Sequence, residues 1–108
     1  MKNITTFINE AKKKTVKTTV GEYVAWYLGF DSFDEIDPID DFQSTDFDPS
    51  SLEDHFKGSY TAQFEFLQDH KDEKITVYQE ETEYDDIQAE FKVGGITFLP
   101  VATDFYKK

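Results

Sequence analysis

The 108 residues contain no cysteine and no arginine, and only three prolines and five glycines. Without cysteine there is no disulfide, no thiol chemistry and no Cys-ligated zinc, and the redox compartment is left open. Without arginine there is no bidentate fork for phosphate or carboxylate. The longest apolar runs fall far short of the ~20 residues that a membrane-spanning helix needs. Positive charge is scarce: 11 lysines stand against 23 acids, for a net charge of -12. Bare DNA or RNA is therefore excluded as an expected ligand, because phosphate binding needs clustered positive charge. What the chain does have is aromatic mass, with eleven Phe, six Tyr and one Trp. That is too much for a disordered acidic tail. The length fits one folded domain able to bury roughly two-thirds of its unfolded surface.

The charge is unevenly placed. Residues 1–20 carry five lysines and Glu10, while residues 21–108 carry six lysines and 22 acids. Ten acids and no lysine fall within residues 31–56: Asp31, Asp34, Glu35, Asp37, Asp40, Asp41, Asp46, Asp48, Glu53 and Asp54.

Periodicity predicts an α+β fold. Ile4, Phe7, Ile8 and Ala11 have the spacing of one helical face. Lys12 to Thr19 reads as a linker or a short extended segment. Thr19 and Glu22 have capping-box spacing before Val20, Tyr23, Val24, Tyr27 and Leu28, and Gly29 is a natural stop. From Phe30 to Ser51 apolar residues alternate with acids at a near-period of three. This predicts an acidic loop of short helical turns, anchored by Phe30, Phe33, Ile36, Ile39, Phe42 and Phe47. A short helix is expected over Leu52–Lys57, ended by Gly58.

The C-terminal half reads as four strands in an antiparallel meander. Tyr60, Ala62, Phe64 and Phe66 alternate with more polar residues, and so do Ile75, Val77 and Gln79. Ile87, Ala89, Phe91 and Val93 form a third strand. Gly94-Gly95 then joins Val93 to Ile96–Leu99, a two-residue hairpin signal. One sheet face should pack on the Tyr23/Tyr27 helix while the other meets water.

No catalytic or cofactor residue is indicated, and the expectation is a protein that is not an enzyme. His55 and His70 sit in polar settings, and no phosphate-cradling glycine loop is present. Asp46, Asp48 and Ser50 match the first positions of a calcium loop. Ser51 and Lys57 then stand where that loop needs glycine and a bidentate glutamate, so no metal site is expected.

The acids point instead to a protein partner. Asp31, Asp34, Glu35, Asp37, Asp40, Asp41, Asp46 and Asp48 form one candidate row, and Glu80, Glu81, Glu83, Asp85, Asp86 and Glu90 a second. DNA presents one charge per ~1.7 Å of helix axis. Carboxylates a few ångströms apart on a rigid scaffold could occupy a basic nucleic-acid-binding cleft of a host protein. Phe33 and Phe42 are candidate apolar anchors of such a contact, or else pins that hold the loop on the core. Plain solubility is the alternative reading of the acids.

Met1, Lys2, Phe7, Ile8, Glu10 and Ala11 together form a pattern that resembles the capsid-targeting leader of internal head proteins of T-even-type tailed phages. The resemblance covers about a tenth of the chain. It implies a leader over residues 1–10 and one acidic domain over 11–108. It also implies a prohead protease cutting between Glu10 and Ala11, with Phe7 and Ile8 part of the recognised site. The implied course runs from the virion head to the host cytoplasm, with inhibition of a host defence or DNA-processing protein there. Two other readings remain: a minor structural head component, and an acidic interaction domain unrelated to phages.

Overall fold

The computed structural model describes residues 13–43, 47–81 and 87–102. The helix expected over Ile4–Ala11 and the processing residues Phe7, Ile8, Glu10 and Ala11 lie outside these. The fold is α+β, with helices packed on an antiparallel sheet.

Of the two readings of residues 12–19 the extended one holds: Lys13–Thr19 is strand β1, paired antiparallel with β2, Lys74–Glu81, from Lys13↔Glu80 to Thr19↔Lys74. Thr15, Val16, Thr18 and Thr19 are β-branched and suit a pleated surface. Helix α1, Val20–Leu28, follows without a loop. The Thr19 side chain accepts from Glu22 N, and Gly29 closes the helix in the left-handed region at φ 85°. Val20 N and Gly21 N donate to Glu73 O and Lys71 O, which ties the start of α1 to the approach to β2.

Two short turns come next, a 3-10 turn at Phe33–Glu35 and a π turn at Pro38–Phe42. Helix α2 is Pro49–Phe56, capped by Asp48, with Lys57 in the left-handed region at its end. The expected loop of helical turns and the short helix after it are both present.

The segment expected as the first strand of the meander is instead helix α3, Tyr60–Asp69, capped by Ser59. Gln63, Phe64 and Leu67 are buried, and Tyr60 packs against the core beside them. These positions follow helical spacing. The alternation of Tyr60, Ala62, Phe64 and Phe66 concealed it because Gln63, a polar residue, belongs to the buried side. The place of that strand in the sheet is taken by β1.

Strand β3, Ile87–Val93, pairs with β2, and β4, Ile96–Phe98, pairs with β3. A short β5, Val101–Ala102, pairs with the other end of β3 through Gln88↔Val101. The β3–β4 turn is the expected Gly94-Gly95 hairpin, with φ at 56° and 79°. A Cβ at Gly94 would come within 2.7 Å of Phe66 Cζ, so its missing side chain also admits α3.

Ile75, Val77, Ala89, Phe91, Val93 and Phe98 line the covered face of the sheet, and Tyr23, Phe47, Phe64 and Leu67 fill the layer above it. Tyr23 contacts Phe91 edge-on at 5.4 Å, and Phe91 stacks on Phe98 at 5.1 Å. Burial, aided by the neighbouring Tyr27, pushes the Tyr23 phenol far above its ordinary pKa. The opposite face, carrying Tyr78, Glu80, Gln88, Glu90 and Lys92, is exposed as expected.

Candidate functional site

The acidic segment is held by a short-range polar frame on its solvent side and by aromatic rings beneath. Ser32 Oγ accepts from Asp34 N, and the Ser32 carbonyl accepts from Glu35 N at 3.1 Å. Asp37 precedes Pro38, which cannot donate a backbone hydrogen bond and sits at the start of the π turn. Asp37 Oδ1 accepts from Ile39 N at 2.8 Å and from Asp40 N at 2.9 Å. Asp41 Oδ2 accepts from Asp37 N at 2.7 Å, closing the turn from its other side. The backbone bonds from Asp40 and Ile39 hold the Asp37 carboxyl below the usual carboxylate range. Its contribution to stability is therefore present above the ordinary Asp pKa and is lost as pH falls through its depressed value.

Asp34 is paired. Its Oδ1 lies 2.9 Å from Lys71 Nζ, which links the 3-10 turn to the loop before β2. The hydrogen bond and charge of Asp34 raise the Lys71 ammonium above the ordinary lysine value. The contribution of the Lys71 ammonium is fully present below that ordinary value and is lost as pH climbs through the raised one. Both side chains are substantially exposed, so the pair holds the geometry more than it stabilises the fold.

Beneath this frame Phe33, Ile36 and Phe42 are buried. Phe33 stacks on Phe64 at 5.1 Å, and Phe42 meets Phe64 edge-on at 5.3 Å with Phe47 and Tyr60 close by. Phe33 and Phe42 are thus core pins and not surface anchors. Phe42 has no exposed area to offer a partner. Asp31, Asp34, Glu35, Asp37 and Asp40 are exposed and Asp41 is half-buried.

Asp48 does not belong to the exposed row. It is 2 % exposed and serves as a buried junction. Its Oδ1 accepts from Ser51 N and Ser50 Oγ, and its Oδ2 accepts from Leu99 N at 2.7 Å. Gln63 Nε2 donates to the Asp48 carbonyl and to Ser51 Oγ. The carboxylate at this helix N-cap is drawn inward because α2 and the chain after Phe98 both bring donors to it, while α3 donates to the carbonyl of the same residue.

The second acidic row is not continuous with the first. Glu80 and Glu90 stand on the open face of the sheet, away from the layer of helices and turns. Asp46, Glu83, Asp85 and Asp86 lie outside the described residues. For Glu81 the structure describes only its backbone, in β2.

One feature of the segment was missed by sequence reasoning. Ile39, grouped with the anchors, is 66 % exposed at the tip of the π turn. The signal was the Asp37-Pro38 start, which fixes Ile39 on the outside of the turn while Phe42 closes inward. His55 is exposed, and His70 Nδ1 lies 2.7 Å from Glu73 Oε2. No group of three or more potential metal ligands occurs among the described residues. Compared with protein families, curated proteins and solved structures, the chain shows no match.

Proposed function

We propose that the acidic segment Asp31–Asp41 is a binding face for a basic, nucleic-acid-handling surface of a host protein. The observation that carries the reading is the combination of exposed Asp31, Asp34, Glu35, Asp37 and Asp40 with the buried pins Phe33, Ile36 and Phe42. Carboxylates on a backbone held in this way form a fixed array of charge. A fixed array meets a phosphate-binding cleft with less ordering cost than a flexible acidic tail. The reading extends to DNA mimicry carried by this one face. With the N-terminal resemblance, it makes the chain a phage internal head protein that is packaged, injected with DNA and inhibitory toward a host defence or DNA-processing protein.

The test begins with capture of partners from host lysate on the full chain. A captured partner should elute steeply with rising salt and be displaced by saturating duplex DNA. Asp34, Asp37 and Asp41 are poor targets for neutralisation, since each also holds the turn. The combined variant Asp31→Asn and Glu35→Gln changes exposed positions of this face only. It should weaken binding on the order of tenfold, mainly through the on-rate, with the melting temperature nearly unchanged. Salt-independent capture, or no displacement by DNA, would sink the mimic.

The leader has its own test. Protein from purified virions should have the intact mass of a chain starting at Ala11. Removal of residues 1–10 takes away Lys2 and Glu10 together, so the net charge stays at -12. A chain starting at Met1 in mature heads would refute the processing step.

A further inference from the structure

The open face of the sheet differs in character from the rest of the molecule. The register sets Lys17, Thr76, Lys92 and Thr97 in one row across four strands, with Lys74 beyond it. Thr15, Tyr78 and Glu90 make the next row, with Leu99 alongside. Three lysines thus gather at one end of this face in a chain of net charge -12. Two shallow hollows open there. One of about 420 Å³ is bordered by Lys74, Thr76, Tyr78, Glu90 and Lys92. The other, of about 580 Å³, is bordered by Lys17, Lys74 and Thr76, with Glu22 at its rim.

Among the described residues the exposed large hydrophobics are Ile39, Tyr78, Leu99 and Val101. They fall into two places of opposite charge. Tyr78 and Leu99 stand on the open sheet face in the row next to the lysines, and Val101 stands further along it, opposite Gln88. Ile39 stands alone at the tip of the π turn, flanked by Asp37, Asp40 and Asp41. The π turn packs on α3, within the layer that covers the other face of the sheet. The two places therefore lie on opposite sides of one molecule.

We infer that the chain associates head to tail with a second copy of itself. The Ile39 knob and its acids of one copy seat against Tyr78 and the Lys17, Lys74 and Lys92 end of the next. An apolar tip flanked by negative charge meets an aromatic residue that has three lysines towards one end of its face and Glu90 as its cross-strand neighbour. Such a contact is heterologous, so a joined pair keeps one free knob and one free hollow, and growth continues until a ring closes. The small surfaces place it in the weak, concentration-dependent class. The inference is independent of any host partner, and its test uses none.

Sedimentation velocity of the full chain at about 0.15 M salt is the test, because the repulsion between acidic bodies is then screened beyond ~8 Å. The weight-average mass should climb with concentration past that of a dimer. Ile39→Ser should weaken association by about tenfold or more, from loss of one buried aliphatic side chain. Tyr78→Glu should remove it by setting a carboxylate against the acidic knob. Both positions are exposed, so circular dichroism and melting should match the parent. The deciding mixture is Ile39→Ser with Tyr78→Glu. One supplies an intact hollow and the other an intact knob, so together they should form a dimer that grows no further. A parent chain that stays monomeric at all concentrations overturns the inference. So does a mixture that stays monomeric while the parent assembles, which would mark a symmetric contact. A fluorescent oligothymidine that binds the parent but not Tyr78→Glu would reassign the face to single-stranded nucleic acid and equally overturn it.

Discussion

Phe42→Ala should lower the melting temperature by roughly 15–25 °C. Removing a buried phenylalanine costs about 3–5 kcal/mol, and each kcal/mol moves the midpoint of a domain this size by several degrees. Phe42 has no exposed surface and touches Phe47, Tyr60 and Phe64, so the cavity left would open between the acidic segment and α3. Around it the segment loses the pin nearest the Asp37–Asp41 turn, and the exposed carboxylates lose their fixed spacing. Partner binding should fall as a consequence of this loosening. A drop in binding with an unchanged thermal melt would instead place Phe42 in the contact itself and contradict its burial.

The acidic segment was legible in the sequence because its apolar residues recur too often for a disordered tail and too irregularly for one long helix. Reading which of them point inward was harder. Phe33, Ile36 and Phe42 are inside and Ile39 is not, a difference set by the Asp37-Pro38 turn start and not by hydrophobicity. Helix α1 was legible for local reasons, since Thr19, Glu22 and Gly29 each act within one turn of the helix. The Gly94-Gly95 hairpin was legible in the same way. Helix α3 was not, and strand β1 was legible only as one of two readings, linker or extended segment, because tertiary partners decide both. Lys13–Thr19 has too many lysines to look like a strand until its pairing with β2 leaves Lys17 on the open face. Tyr60–Asp69 looks like alternation until Gln63 is seen to be buried by hydrogen bonds to Asp48 and Ser51. A polar residue satisfied inside the core inverts the pattern that periodicity reads. The same junction explains why Asp48 was taken for a surface acid: neighbouring acids are solvated, and nothing local marks this one as different.

Asp48→Ala should therefore behave unlike any other loss of an acid in this segment. It removes the N-cap of α2, worth about 1 kcal/mol. That cap is the bond to the buried Ser51 N–H, and the change also strips the acceptor from Leu99 N–H in its partly buried site, at about 1–3 kcal/mol. Together these effects destabilise by roughly 3 kcal/mol, on the order of 15 °C in melting temperature. Asp48→Asn separates the parts. Its side-chain carbonyl can still accept from Ser51 N, but an amide facing Leu99 N–H sets donor against donor. That variant should lose about half as much. Asp31→Asn, at an exposed position of the same segment, should stay within about 0.5 kcal/mol of the parent. Urea titration of the three variants gives the comparison directly. The clamp has a second strand of support, since Val101 N donates to Phe47 O at 2.9 Å one residue away. Residues 47 and 48 thus hold the chain beyond β4 from two successive positions, and α3 holds Asp48 from the other side through Gln63. If Asp48→Ala melted like Asp31→Asn, the carboxylate would have to be solvated, and residues 47 and 48 would hold the chain beyond β4 through the Phe47–Val101 bond without it.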